Sequence, residues 1–126
     1  MKKAVVNTFI FIFALVYFGC GSANTPADVA KDFLNKAAKG DKGAIDLMHS
    51  SLVSMMGKEK LEMGLKEESE KIKAKGGIAS IDILEESIGE EDAMLKVKVN
   101  YKDGSNKTEK INLIKEKGDW KITISK

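Results

Sequence analysis

Apolar positions along this chain keep a helical rhythm in its first half and an alternating one in its second. Val29, Phe33, Leu34 and Ala37 recur at three- and four-residue spacing, which places them on one stripe of a helix. Thr25 and Pro26 open that helix as N-cap and first helical residue, Asp28 sits near the positive end of its dipole, and Gly40 closes it. Ala44, Ile45, Met48 and Leu52 continue the spacing in a second, shorter helix that Asp41 can cap. A third helix is predicted over residues 58–75, with Leu61, Leu65 and Ile72 on one side and Ser69 between them. Glu62 with Lys66, and Glu67 with Lys71, would support it as pairs four residues apart. Past Gly76 and Gly77 the period falls to two. "IASIDIL" starts a strand at 78–84, and in "AMLKVKVNY" Leu95, Val97, Val99 and Tyr101 alternate with Lys96, Lys98 and Asn100. "KDGSN" turns the chain into "TEKINLIKE", and a turn at Lys117, Gly118 and Asp119 leads to "WKITIS", with Trp120, Ile122 and Ile124 facing in. Helices followed by antiparallel strands mean an α+β fold, three N-terminal helices packed on a sheet of about four strands.

Before all this stands a segment of another kind. Lys2 and Lys3 precede a mostly apolar run from Ala4 to Gly19, the layout of a secretory signal. As a helix its 16 residues would span about 24 Å at ~1.5 Å per residue, short of the ~30 Å hydrocarbon core of a bilayer. Two export outcomes follow. Gly19 before Cys20, after a short positive start, resembles the signal of a bacterial lipoprotein, which is cut before a cysteine whose sulfur then carries a diacylglyceryl group. Alternatively, Gly21 and Ala23 offer the small-x-small spacing of ordinary signal peptidase, and Cys20 is discarded with the leader. Cys20 is the chain's single cysteine, so it forms no internal disulfide, and lipidation accounts for its place at the end of the oily run. The expected organisation is a signal peptide at 1–19, a lipidated cysteine and short tether at 20–25, and one domain at 26–126. Residues 21–25 reach about 17 Å when fully extended at ~3.3–3.6 Å each, which would hold the domain close to the bilayer.

Charge narrows the partners. The formal +2 belongs to the leader: from Cys20 onward 19 lysines balance 19 carboxylates. Nucleic-acid binders carry a basic excess, so nucleic acid is not expected as a partner. All 21 basic residues are lysine, which leaves no arginine fork for a carboxylate or phosphate.

"TPADVAKDFLNKAAKGDKGAIDLM" (residues 25–48), followed by a meander ending in "GDWKITIS", resembles the small bacterial lipoprotein family called domain of unknown function 4878, of the nuclear transport factor 2-like (cystatin-like) superfamily. The resemblance covers residues 25–125. It implies helices packed across a curved antiparallel sheet, a cone with a pocket at its wide end. Val97, Val99, Tyr101, Trp120, Ile122, Met55 and Met56 are then the candidate pocket residues. Dimerisation through the open face of the sheet, frequent in that superfamily, makes a homodimer a further expectation.

Chemistry in the sequence is sparse. His49 is the only histidine, so no Ser–His–Asp or Cys–His set can be assembled. Asp46, His49 and Tyr101 are the candidates for an isomerase- or dehydratase-like enzyme, the alternative function. Each has a plainer role: His49 as a cation near the end of the second helix, Asp46 in solvent, Tyr101 packed in its strand. Glu85, Glu86, Glu90, Glu91 and Asp92 lack the spacing of a calcium loop and suit a solvated turn. No metal or cofactor is expected. Met48, Met55, Met56 and Met63 crowd the link between the second and third helices, as packing filler or as an adaptable lid. The function expected is therefore a non-catalytic, membrane-anchored binding module for a small apolar ligand or an envelope protein. Gly21 lacks the aspartate that signals inner-membrane retention, which favours the periplasmic face of the outer membrane.

Mass spectrometry of the mature N-terminus separates the two export outcomes. A chain beginning at acylated Cys20 is expected, and an unmodified one beginning at Asn24 would show the secreted, unlipidated form.

Overall fold

The computed structural model describes residues 25–124; the expected leader, Cys20 and the tether up to Asn24 lie outside them. Helix α1 spans Pro26–Lys39 and begins where the sequence places it, with Thr25 Oγ1 accepting from the Asp28 amide at 3.0 Å. At its other end Gly40 takes a left-handed conformation, φ 70°, and the amides of Gly40 and Asp41 close back onto the carbonyls of Ala37 and Lys36. A Cβ at Gly40 would lie 3.1 Å from Ser69 Oγ, so the absent side chain also lets the third helix pack close.

The predicted second helix is two pieces. Lys42–Leu47 is a 3₁₀ turn capped by Asp41, and Ser50–Met56 is a separate helix, α2. Between them Met48 and His49 are extended, because Met48 bridges to Ile122 in parallel and the His49 amide donates to the Ile122 carbonyl at 2.8 Å. A tertiary backbone bond has overridden the local helical spacing. His49 therefore caps the start of α2, its Nδ1 accepting from the Ser51 amide at 3.1 Å, rather than complementing a helix end. Glu116 takes the neighbouring donors: the Ser50 amide reaches it at 3.1 Å and the Ser50 hydroxyl donates to its other oxygen.

Helix α3, Lys58–Ala74, buries Leu65, Ser69 and Ile72. Its expected internal ion pairs do not form; Glu62 turns to Lys42 instead, at 3.6 Å. Both ends of that contact reach solvent, so it contributes little, ~0–1 kcal/mol. Among the described residues no helix is long and apolar enough to cross a membrane.

Four strands follow as an antiparallel meander in the order β1-β2-β3-β4: Ile78–Ile88, Asp92–Tyr101, Asn106–Glu116 and Asp119–Thr123. β1 runs beyond the predicted 84, through a bulge between Ile83 and Glu85 that leaves Glu85 opposite Lys96. Part of the acidic cluster thus belongs to a strand rather than a turn. The two-residue turn into β4 has positive φ at both Lys117 (55°) and Gly118 (86°), the backbone that suits a twisted hairpin. Every second residue of β2, from Ala93 to Tyr101, is buried, and these face Ile111 and Leu113 of β3 and Trp120 and Ile122 of β4 in one inner surface. α1 lies across that surface, and Val29, Ala30 and Leu34 join the same core. Ile124, expected to face in, is 53% exposed just past the end of β4. The fold is α+β, helices packed on a four-stranded antiparallel sheet.

Leu113→Ala is expected to cost ~2–5 kcal/mol and Thr25→Ala ~1 kcal/mol, compared by urea unfolding. The Ser50 hydroxyl and then its amide hold the Glu116 carboxyl below its ordinary value of 4.5. A depressed value contributes stability above 4.5 that disappears as pH falls through the folded value. Glu116→Gln is therefore less stable than the parent at about pH 7, and the difference narrows as pH falls below 4.5.

Candidate functional site

Where α1 and α3 diverge above the sheet, the core opens into a cavity of about 320 Å³. Phe33, Leu34 and Ala37 of α1 form one wall, Leu61, Gly64, Leu65 and Ile72 of α3 another, and Ile78, Val99 and Tyr101 the floor. Met48, at the break in the chain, and Met56, at the end of α2, close a third side. The break thus has a structural consequence: the bond from His49 to β4 brings Met48 to the cavity.

Charged side chains also line the cavity. Lys107 and Glu109 stand in register opposite Val99 and Val97, and so share the inner side of the sheet with Ile111 and Leu113. Their own ion pair is 3.7 Å long and partly solvated. Lys60 and Glu68 of α3 line the same cavity. A contiguous hollow shares Glu68, Ile72, Tyr101 and Lys107 with the cavity and adds Lys71 and Lys75 from the end of α3. Lys75 Nζ lies 4.6 Å from the centroid of the Tyr101 ring, within range of a cation–π contact. Burial pushes the Tyr101 phenol above its ordinary value of 10.0; Lys107 opposes the shift, and Glu109 and Glu68 add to it. Near neutral pH the phenol is an uncharged donor.

Of the residues expected to line a pocket, Tyr101, Val99 and Met56 line this cavity, and Ile122 lines a separate hollow between α1 and the end of β4. Val97 is fully buried in the inner surface, because α1 covers that part of the sheet. Trp120 and Ile122 lie on β4, which the cavity does not reach, and Trp120 packs in the core beneath Lys115, whose Nζ is 5.2 Å from its ring. Met55 points into solvent at 66% exposure. Alternation reveals which face of a strand a residue is on, but not how far along that face the helices extend. Asp46 is exposed and offers its carbonyl to Lys121 Nζ at 2.7 Å, and His49 is occupied at the α2 cap. Asp46, His49 and Tyr101 are thus dispersed, and only Tyr101 reaches the cavity.

The residues missed by sequence reasoning are Lys60, Gly64, Glu68, Lys107 and Glu109. For the last two the signal was present: they have the same parity in β3 as Ile111 and Leu113. Charged side chains at inward positions mark the part of a sheet left uncovered by helices. Among the described residues, no serine, threonine, cysteine or histidine lines the cavity, and no cluster of acidic, histidine or cysteine side chains could hold a metal ion.

The arrangement is similar to a solved one. The crystal structure of an NTF2-like protein from Campylobacter jejuni, described as a candidate transpeptidase, matches with a TM-score of 0.73 at 23% identity, covering 81% of this chain and 100% of that one. At that identity the likeness establishes the shared fold. No curated protein matches the chain. The model of the family described as Domain of unknown function (DUF4878) matches residues 18–123, most of the chain, and the expected α+β arrangement of helices on a four-stranded antiparallel sheet is the fold observed. The chain belongs to the DUF4878 family.

Proposed function

We propose that this protein is a non-catalytic binding module that takes a small, largely apolar ligand into the cavity between α1, α3 and the sheet. The observation that carries this reading is the lining: eleven aliphatic, methionine or aromatic side chains around about 320 Å³, with only four charged ones, Lys60, Glu68, Lys107 and Glu109. That size and division suit a ligand pocket, where apolar walls provide affinity and a few polar groups fix orientation. An acyl-transfer enzyme needs an activated nucleophile beside a base, and the cavity's side chains include neither a hydroxyl nucleophile other than the Tyr101 phenol nor a thiol. Asp46 and His49, the groups an isomerase or dehydratase was expected to pair with Tyr101, stand elsewhere. The transpeptidase description of the Campylobacter protein is accordingly not extended to this chain.

Placement belongs to the same proposal. Acylation of Cys20 would anchor the protein in a bacterial envelope, with the periplasmic face of the outer membrane favoured. The domain would then start five residues from the lipid, since Thr25 already caps α1. A bilayer is itself a reservoir of apolar molecules, so short tethering and an apolar cavity are mutually consistent. Multiple acyl chains, each buried CH₂ contributing ~0.8 kcal/mol, would make the attachment stable.

Gly64 provides the test. It interrupts α3 at a cost of roughly 1 kcal/mol relative to alanine, yet a Cβ there would meet no atom within 4 Å. Gly64→Leu is expected to fold with its melting temperature unchanged or raised, while placing a side chain in the cavity. Binding of the uncharged fluorescent probe N-phenyl-1-naphthylamine should fall at least about tenfold, a change of ~1.4 kcal/mol, while Met55→Ala, in solvent, leaves it unaltered. Equal affinity of the parent and Gly64→Leu would place the probe elsewhere and remove the support for this reading.

A further inference from the structure

We propose that the ligand is a single-chain amphiphile with one negative charge, its head held at Lys107, Lys75 and Tyr101 and its tail lying between α1 and α3. This rests on the binding role proposed above and specifies the ligand's chemistry.

Charge is the first argument. From Cys20 onward the chain is electrically balanced, but the hollow that continues the cavity past Tyr101 is not. Lys71, Lys75 and Lys107 line it against Glu68 alone. Lys71 and Lys75 form no ion pair among the described residues. Lys107 does meet Glu109, but at 3.7 Å, well beyond the ~2.7–2.9 Å of a charge-assisted hydrogen bond. Its ammonium therefore retains donors for an incoming anion. Lys75 is held over the Tyr101 ring at 4.6 Å, which sets a second cation beside the phenol. A neutral phenol hydroxyl and lysine ammonium groups all donate, and a carboxylate accepts from several donors at once. Glu68 and Glu109 repel further negative charge, so a monoanion suits the site better than a dianion.

Shape is the second argument. About 320 Å³ holds roughly ten groups the size of a water at ~30 Å³ each, a medium-length alkyl chain. Among the described residues the apolar lining beyond Phe33 and Tyr101 is aliphatic or methionine, which suits a flexible chain. Met48 and Met56, adaptable at packing gaps, border the channel and suit a chain of variable conformation.

The experiment is calorimetric titration of the purified protein with four probes: decanoate, decanol, decyltrimethylammonium and acetate. Decanoate is expected to bind about tenfold more tightly than decanol, the scale of a charge-assisted hydrogen bond. Acetate, which has the head without the tail, should bind far more weakly. Lys107→Gln should remove most of decanoate's advantage without changing decanol binding, and Glu109→Gln should tighten decanoate. The opposite signs separate a local charge effect from damaged folding. Decanol or the quaternary ammonium binding as well as decanoate would overturn the anionic head while leaving an apolar cavity intact. Acetate binding as tightly as decanoate would overturn the amphiphile in favour of a bare anion site. If none of the three ten-carbon probes binds, the cavity's binding role fails, and this inference fails with it.

Discussion

Everything in this molecule depends on one buried row of side chains. Leu95, Val97 and Val99 of β2, with Leu113 of β3, are almost entirely removed from water. They are the surface on which α1 lies, and without them neither layer has a partner. Each fully buried aliphatic side chain contributes ~1.5–3 kcal/mol relative to exposure, so a few such residues outweigh all three solvent-exposed ion pairs identified in the described region. The candidate site is where that row runs out from under the helices. At Tyr101, Lys107 and Glu109 the inner surface continues and its cover does not, and the space left between is the cavity.

The strongest elements were legible in the sequence because each rests on local chemistry. Thr25, Pro26 and Gly40 bound α1 as their side-chain and backbone preferences dictate, and the alternation of β2 states its buried face outright. The second helix was not legible. Its spacing is helical, and the break at Met48 and His49 arises from a bond to Ile122, more than seventy positions away. The same limit displaced Trp120 and Ile122 from the expected pocket: their orientation was correct, but the position of α1 determines whether an inward residue becomes core or cavity. Lys107 and Glu109 show the converse. Their parity was readable, yet charge suggested solvent, when they are inward and solvated together.

Polar contacts here act as positioning devices more than as sources of stability. Ser50, His49 and Glu116 secure a seven-residue helix too short to persist alone. That helix carries Met56, and the extended pair before it carries Met48, so the hydrogen bonds at β3 and β4 determine where two cavity residues stand. Tyr101 likewise connects packing to recognition: its ring completes the buried row while its burial moves the phenol further above its ordinary value of 10.0.

Gly64 brings these arguments together. A glycine inside a 17-residue helix weakens that helix by roughly 1 kcal/mol, and here no neighbouring atom requires the missing side chain. Close packing therefore does not explain it, in contrast to Gly40 against Ser69. What its absence does is leave open the volume that Leu61, Leu65 and Phe33 surround. Because that volume communicates with solvent, an empty cavity would leave water against apolar walls. A ligand that displaces such poorly bound water gains affinity without losing hydrogen bonds, and at a hundred times its dissociation constant it would add ~2.7 kcal/mol to stability. The helix's local weakness is thus of a size that occupancy of the cavity can more than offset.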